Sequence, residues 1–306
     1  MSQSRSLAAL ALALVSAVSL LAGCGEGGDP TGASGRLGVV AAEDFWGSIA
    51  AQLGGDRVEV TNIISNPAAD PHDYEPTAED AREMATAQLA IVNGIGYDEW
   101  AQKLLDANPS SGRRELDVGD LLGLEAGDNP HQWYSPNAVH RVIARISAEY
   151  AQADPAGAEY FRQRREELES EGLAEYDSLI ARIRSRYAGT AVGASESVFE
   201  PLAKALGLEL VTPSGFIDAV AEGTEPSPQE KAEADAQIAD RGIDVWVYNS
   251  QNATPDVQRL NDAAAASGIP VATVTETLTP QGASFQAWMS RQLRGLERAL
   301  ARSRAG

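Results

Sequence analysis

Short aliphatic segments alternate with helical patterns along most of the chain, and this alternation is the strongest constraint on its fold. Segments at residues 36–42, 58–64 and 89–94 read RLGVVAA, VEVTNII and LAIVNG. Brief apolar runs of this kind, bounded by Gly, Asn or Asp, are typical of buried parallel strands. Helical patterns at about residues 45–53 and 77–85 lie between them. This order predicts an α/β fold with parallel sheets.

The same order returns nearer the C-terminus. Four further strands are predicted, starting at Thr190, Leu208, Val245 and Pro270. The intervening helices have clear start signals: a capping box at Ser227-Pro228-Gln229-Glu230, and similar starts at Ser135-Pro136 and Thr254-Pro255. A chain of 306 residues is long enough for two cores. We therefore predict two Rossmann-like lobes, residues 36–153 and 188–306.

A charged amphipathic segment, residues 154–187, lies between the predicted lobes. As one helix of about 30 residues it would be roughly 45–50 Å long, a rigid helix joining the two lobes. The alternative is a pair of shorter helices separated near Gly172.

The first 24 residues have the features of a secretory signal peptide, with a basic start and an apolar run too short to span a bilayer comfortably. They end in LAGC, which resembles the lipobox of bacterial lipoproteins, and Cys24 is the only cysteine. We expect export, lipidation of Cys24 and a flexible Gly-rich tether at residues 25–35. An uncleaved anchor, or a plain signal peptide with an incidental cysteine, is the alternative.

The acidic composition narrows the possible partners. The formal net charge is −20 and the pI is near 4.5. A phosphate backbone would be repelled by such a chain, so we expect no nucleic-acid partner.

Two of the only 3 histidines lie in similar loops. His72 is in DPHDYEP and His131 is in NPHQWYSP. The preceding prolines restrict the backbone of each loop, which favours a preorganised imidazole. A single loop histidine is more often solvated than ligating, but a matched pair favours a metal site. His140 lies inside a predicted helix, so we interpret it as structural.

These motifs resemble the solute-binding lipoproteins of zinc and manganese ABC transporters. The resemblance rests on DPHDYEPT, NPHQWYSP, EPSP at residues 225–228 and the linking helix. It implies a metal site in the cleft between the lobes, with His72 and His131 as ligands from the first lobe. It also implies a third and a fourth ligand from the second lobe, where Glu196 and Glu276 occupy the matching places.

Several details of the implied site remain open. Nearby acids are alternatives to Glu196 and Glu276, although surface exposure is the better interpretation for each: Glu200, Asp218, Glu222 and Glu225. Asn129 stands where the family usually has an acid before Pro-His, which bears on the support of His131. A glutamate at 276, where the family usually has aspartate, lengthens the ligand arm by a methylene group.

The expected function is capture of one Zn²⁺ or Mn²⁺ ion per chain and delivery to an ABC transporter permease. The resemblance implies a monomer on the outer face of the cytoplasmic membrane, in the cell envelope or periplasm, and no enzyme. One alternative is an exported zinc-dependent hydrolase, although no HExxH motif is present. Another is a siderophore- or haem-binding lipoprotein of similar architecture.

Overall fold

The part of the chain that the structure describes forms two four-stranded sheets in succession, each of parallel strands. We describe a computed structural model, which covers residues 35–67, 74–252 and 254–305. The predicted signal peptide, Cys24 and almost all of the tether lie outside these residues, as does His72. The described residues belong to one compact unit. None of the helices within the described ranges is long and apolar enough to cross a membrane.

The first sheet has the strand order β2-β1-β3-β4, and its helices connect consecutive strands. Its elements are β1 (Leu37–Glu43), α1 (Asp44–Gly54), β2 (Val58–Ile64), α2 (Ala78–Thr86), β3 (Leu89–Val92), α3 (Glu99–Ala107), β4 (Arg114–Asp117), α4 (Val118–Leu122) and α5 (Pro136–Ala153). The predicted α/β class is confirmed. We did not predict β4, because only Leu116 of its four residues is buried, as suits a strand at the sheet edge.

The second sheet repeats this arrangement with the order β6-β5-β7-β8. Its elements are β5 (Ala191–Ala194), α8 (Glu200–Leu206), β6 (Glu209–Leu210), α9 (Ser214–Ala221), α10 (Pro228–Ala239), β7 (Val245–Asn249), α11 (Pro255–Ala266), β8 (Val271–Val274) and α12 (Phe285–Ser303). The predicted capping box of α10 is present, since Ser227 accepts from Glu230 N and the Glu230 carboxylate accepts from Ser227 N. Ser135 and Thr254 likewise cap α5 and α11.

The segment between the sheets is helical but not one regular α-helix. It consists of α6 (Ala158–Glu167), a π-helical turn (Leu168–Gly172) and α7 (Ala174–Tyr187). The interruption is near Gly172, as in the alternative of two shorter helices.

Within the described residues, three hydrophobic clusters form the interior. The largest contains residues from both sheets together with α1, α5, α7 and α12. Two smaller clusters cover the outer faces, one between the first sheet and α2 and α3, the other between the second sheet and α9, α10 and α11. The two sheets share the central cluster, and hydrogen bonds from Tyr97 to Glu276 and from Gln251 to Pro67 link the loops that follow their strands.

Candidate metal centre

Two of the predicted ligands, Glu196 and Glu276, lie just beyond strand ends, where open α/β sheets bind their ligands. Glu196 follows β5, Glu276 follows β8, and His131 precedes a 3₁₀ turn (Gln132–Tyr134) that leads into α5. His72 belongs to residues 68–73, outside the described part of the chain. The structure therefore places three of the four candidates.

His131 is almost fully buried, with 1% of its surface exposed. Its ring packs edge-on against Trp133 and Tyr97, with centroid distances of 5.2 and 5.9 Å. The carbonyl of Pro130 accepts a hydrogen bond from the side-chain amide of Asn93. The oxygen of the same amide accepts from Trp46 Nε1. The loop that carries the imidazole is therefore tied to the core of the first sheet.

Asn129 fixes the tautomer of His131. Its Nδ2 donates to Ser197 O at 2.9 Å and to the Glu200 carboxylate at 2.8 Å, so its Oδ1 is the atom that faces the imidazole. This Oδ1 lies 3.0 Å from Nδ1 of His131, which therefore donates to it. In the neutral ring Nε2 is then the lone-pair atom, the arrangement that metal-ligating histidines adopt.

The carboxylate of Glu276 lies next to this imidazole. Its Oε2 is 3.8 Å from Nε2 of His131. Two ligands placed tetrahedrally around Zn²⁺, at ordinary Zn–N and Zn–O distances, are about 3.4 Å apart. The two atoms thus need to approach by only a few tenths of an ångström to share one ion.

Two side chains from different halves hold Glu276 in place. Tyr97 donates its hydroxyl to Oε2 at 3.0 Å, and Asn249 donates Nδ2 to Oε1 at 2.7 Å. The side chain is buried, with 7% of the residue exposed. Its orientation is therefore set before any ion binds.

A turn with an unusual backbone presents Tyr97. Gly94, Ile95 and Gly96 have φ of 69°, 59° and 80°, and the left-handed region costs a β-branched residue such as Ile95 about 1–3 kcal/mol. The carboxylate of Asp98 stabilises the turn by accepting from Asn93 N at 2.7 Å and Gly94 N at 2.8 Å. Burial raises the pKa of Asp98 to about 6.

Glu196 is also buried, with 1% exposed, and its Oε2 accepts from Asn252 Nδ2 at 3.0 Å. It does not lie in one group with His131 and Glu276. Within the described ranges, no three His, Cys, Asp or Glu side chains are close enough together to hold a metal ion. The structure thus brings together His131 and Glu276, with Glu196 in a neighbouring position.

The alternative acids have other surroundings. The structure exposes all four of these acids: Glu200, Asp218, Glu222 and Glu225. Glu225 pairs with Lys231 in front of α10, so EPSP has a structural role in helix initiation. His140 lies on α5, half-exposed, with Nε2 3.3 Å from Asp177 Oδ1, in agreement with its structural interpretation.

The sequence motifs did not point to the polar residues that support the candidate ligands. Tyr97 lies in the loop after β3, Asn249 is the last residue of β7, and Gln251 and Asn252 follow it. Two signals could have pointed to them: the Gly-Ile-Gly turn after β3, and the polar stretch NSQN at the end of β7.

Comparison with known proteins identifies the family. The ZnuA family, described as zinc-uptake complex component A, periplasmic, matches residues 39–299. The chain belongs to this family. The predicted resemblance is confirmed, and so is the extracytoplasmic location. Because ZnuA-family proteins are substrate-binding components and not enzymes, the hydrolase alternative is not favoured.

Individual relatives have related descriptions. The manganese-binding lipoprotein MntA of Halalkalibacterium halodurans is 31% identical over 146 residues, 46% of this chain and 48% of that protein. The matched region thus spans about half the length of MntA. The metal ABC transporter substrate-binding lipoprotein FimA of Streptococcus parasanguinis is 26% identical over 233 residues, 66% of this chain and 69% of FimA.

Solved structures share the fold. The Mn-bound periplasmic metal binding protein from Candidatus Liberibacter asiaticus superposes with a TM-score of 0.72 at 21% identity, covering 87% of this chain and 100% of that one. At this identity the likeness shows the fold, with its two parallel sheets.

Proposed function

We propose that this ZnuA-family protein captures one divalent transition-metal ion outside the cytoplasm and delivers it to an ABC transporter permease. The observation that carries the proposal is the buried approach of His131 Nε2 to Glu276 Oε2 at the strand ends. An imidazole lone pair and a carboxylate face each other there, and a shared cation is the group that suits both. Family membership supplies the transport role.

The proposed ligands are His72, His131, Glu196 and Glu276. The hydrogen bonds of Asn129, Tyr97 and Asn249 support His131 and Glu276. Glu196 is supported by its burial and by its position near the same loops. Burial raises the pKa of Tyr134, and the carboxylates of Glu276 and Glu196 raise it further, so both carboxylates lie near this one hydroxyl. Four protein ligands would close the site to a substrate, which fits a carrier better than a catalyst.

The proposed cargo is Zn²⁺ or Mn²⁺. Imidazole suits Zn²⁺ and carboxylates suit Mn²⁺, while the Irving–Williams order favours Zn²⁺ at almost any such site. The comparisons also name both metals: the family description mentions zinc, and MntA is named manganese-binding. The cargo in the cell then follows metal availability as well as affinity.

The remaining parts of the proposal concern organisation. The chain would act as a monomer, held at the membrane by a lipid on Cys24 after cleavage of the signal peptide directly before that residue. Residues 25–35 would be the tether, 36–153 and 188–306 the two lobes, and 154–187 the linking segment. The lipoprotein names of MntA and FimA support the lipid anchor.

Metal titration of the full chain, purified in detergent and stripped with a chelator, tests the function. We expect one Zn²⁺ or Mn²⁺ per chain. His131→Ala should weaken Zn²⁺ binding more than about 100-fold, above the effect of changing an outer supporting residue. His140→Ala should change it less than about twofold. Equal losses in both variants, or no binding by the unaltered chain, would overturn the proposal.

A further inference from the structure

The side chain of Gln251, in the loop after β7, makes four hydrogen bonds. Its Oε1 accepts from Glu276 N at 2.6 Å and Thr277 N at 3.1 Å. Its Nε2 donates to Pro67 O and to Thr277 Oγ1, both at 2.6 Å. A primary amide has two protons and two lone pairs, so Gln251 uses its full capacity here.

These bonds connect three loops from two sheets. Gln251 follows β7 and Glu276 follows β8 in the second sheet, whereas Pro67 follows β2 in the first. The connection from β2 to α2 that contains Pro67 also contains His72 in the sequence. One side chain therefore joins the backbone of a proposed ligand to the loop that carries another.

We infer that Gln251 is a positioning residue that clasps the Glu276 loop to Pro67 and so fixes the backbone from which the Glu276 carboxylate extends. This inference rests on the proposed function. Preorganised ligands lose less conformational entropy when the ion binds, which increases affinity. Without the amide, the N–H groups of Glu276 and Thr277 lose their acceptor. The backbone that carries the Glu276 carboxylate is then no longer held in place.

The chain offers a matched control. Gln281 Nε2 donates to Ser65 O at 3.1 Å, so it also connects the second half to the loop after β2. This bond is exposed, and it joins Gln281 to Ser65 rather than to the Glu276 backbone. A general loss of contact between the halves would affect both glutamines, whereas loss of ligand positioning affects Gln251 alone.

The experiment compares Gln251→Met and Gln281→Met in the full chain. Met preserves length and removes the hydrogen bonds. With Zn²⁺ as probe and a chromogenic chelator as competitor, we expect Gln251→Met to bind 10–100-fold more weakly, the range for residues that support metal ligands. Most of the loss should be faster dissociation. Gln281→Met should stay within about twofold of the unaltered chain.

Amide hydrogen exchange of the metal-free protein gives a second readout, one that does not need the metal. Exchange at Glu276 and Thr277 should accelerate in Gln251→Met, while β5 and β7 keep their protection. Gln251→Asn, one methylene too short to span the three loops, should behave like the Met variant. Unchanged affinity and exchange in Gln251→Met, unaltered behaviour of Gln251→Asn, or uniformly faster exchange would each overturn the inference.

The two readouts also separate this inference from the proposed function. If the unaltered chain binds neither Zn²⁺ nor Mn²⁺ but exchange at Glu276 and Thr277 still accelerates, the transport proposal fails and the clasp between the loops stands. If the unaltered chain binds Zn²⁺ and the variants match it in both readouts, the proposed function stands and the inference fails.

Discussion

Asn129 illustrates how much of the candidate site depends on single amides. Its two-sided amide does what a carboxylate cannot: it accepts from His131 and donates to the opposite half through Ser197 O. One side chain thus orients the imidazole and connects the two halves.

Asn129→Ala should weaken Zn²⁺ binding by about 10–100-fold, because the imidazole loses the bond that fixes its tautomer and orientation. Competition with a chelator measures the change. Gln132→Ala is the control, since among the described residues its side-chain amide donates to the Asn129 carbonyl and not to an imidazole nitrogen. An Asn129→Ala variant with unaltered affinity would show that the imidazole is oriented by its packing alone.

Glu43, the last residue of β1, is a buried acid without a donor. Its surface is 0% exposed, and neither of its carboxylate oxygens has a hydrogen-bond partner among the described residues. Burial raises the pKa of Glu43 well above its usual range, and the neighbouring Asp98 raises it further. The proton therefore binds more tightly in the folded than in the unfolded chain.

The sign of this shift gives a prediction. Stability of the unaltered chain should fall as pH rises from the usual glutamate pKa through the raised one. Glu43→Gln should therefore be more stable than the unaltered chain at pH 8, by about 1–3 kcal/mol, with a smaller difference at pH 5. Urea unfolding at both pH values checks this. The exposed control Glu171→Gln should show no such pH-dependent difference, and a destabilised Glu43→Gln at pH 8 would contradict the prediction.

At the scale of elements, the starts of helices were the feature that the sequence predicted best. Ser227, Ser135 and Thr254 cap their helices as predicted, because a cap depends only on residues a few positions apart. Strand β4 was missed, since its sequence RELD shows no apolar run and its pairing partner β3 is distant in the chain.

Ser227→Ala should lower the free energy of unfolding by about 1 kcal/mol, because Glu230 N loses its acceptor at the start of α10. Zn²⁺ affinity should not change, since the cap bonds join Ser227 and Glu230, neither of which is a candidate ligand. Chemical denaturation and metal titration of the same variant test both parts. Gln229→Ala, on the exposed side of the same first turn, should have almost no effect on stability.

At the scale of the whole molecule, the shared cluster between the sheets governs cooperativity. It includes Leu37 and Ile91 of the first sheet and Val192 and Val247 of the second, together with Leu293 of α12. Neither sheet can lose this cluster without exposing the other. Polar links such as Tyr134 to Thr275 O, at 2.8 Å, reinforce the connection.

We therefore expect one unfolding transition for both sheets. Zn²⁺ at about 100 times its Kd should raise the free energy of unfolding by about 2.7 kcal/mol, and a chelator should abolish the increase. Urea titrations followed by circular dichroism and by tryptophan fluorescence should coincide. Two separate transitions, or a single one insensitive to Zn²⁺, would contradict this expectation.

The sequence by itself determined the α/β class, the two sets of strands, the helix caps and the family resemblance, because each of these depends on local periodicity or on short motifs. It also singled out His131 and Glu276. Only the tertiary structure decided that these two meet at 3.8 Å and that Tyr97, Asn249 and Gln251 support them. Their contacts join residues far apart in the chain, and packing of two sheets around one core, which no local pattern encodes, sets such distances.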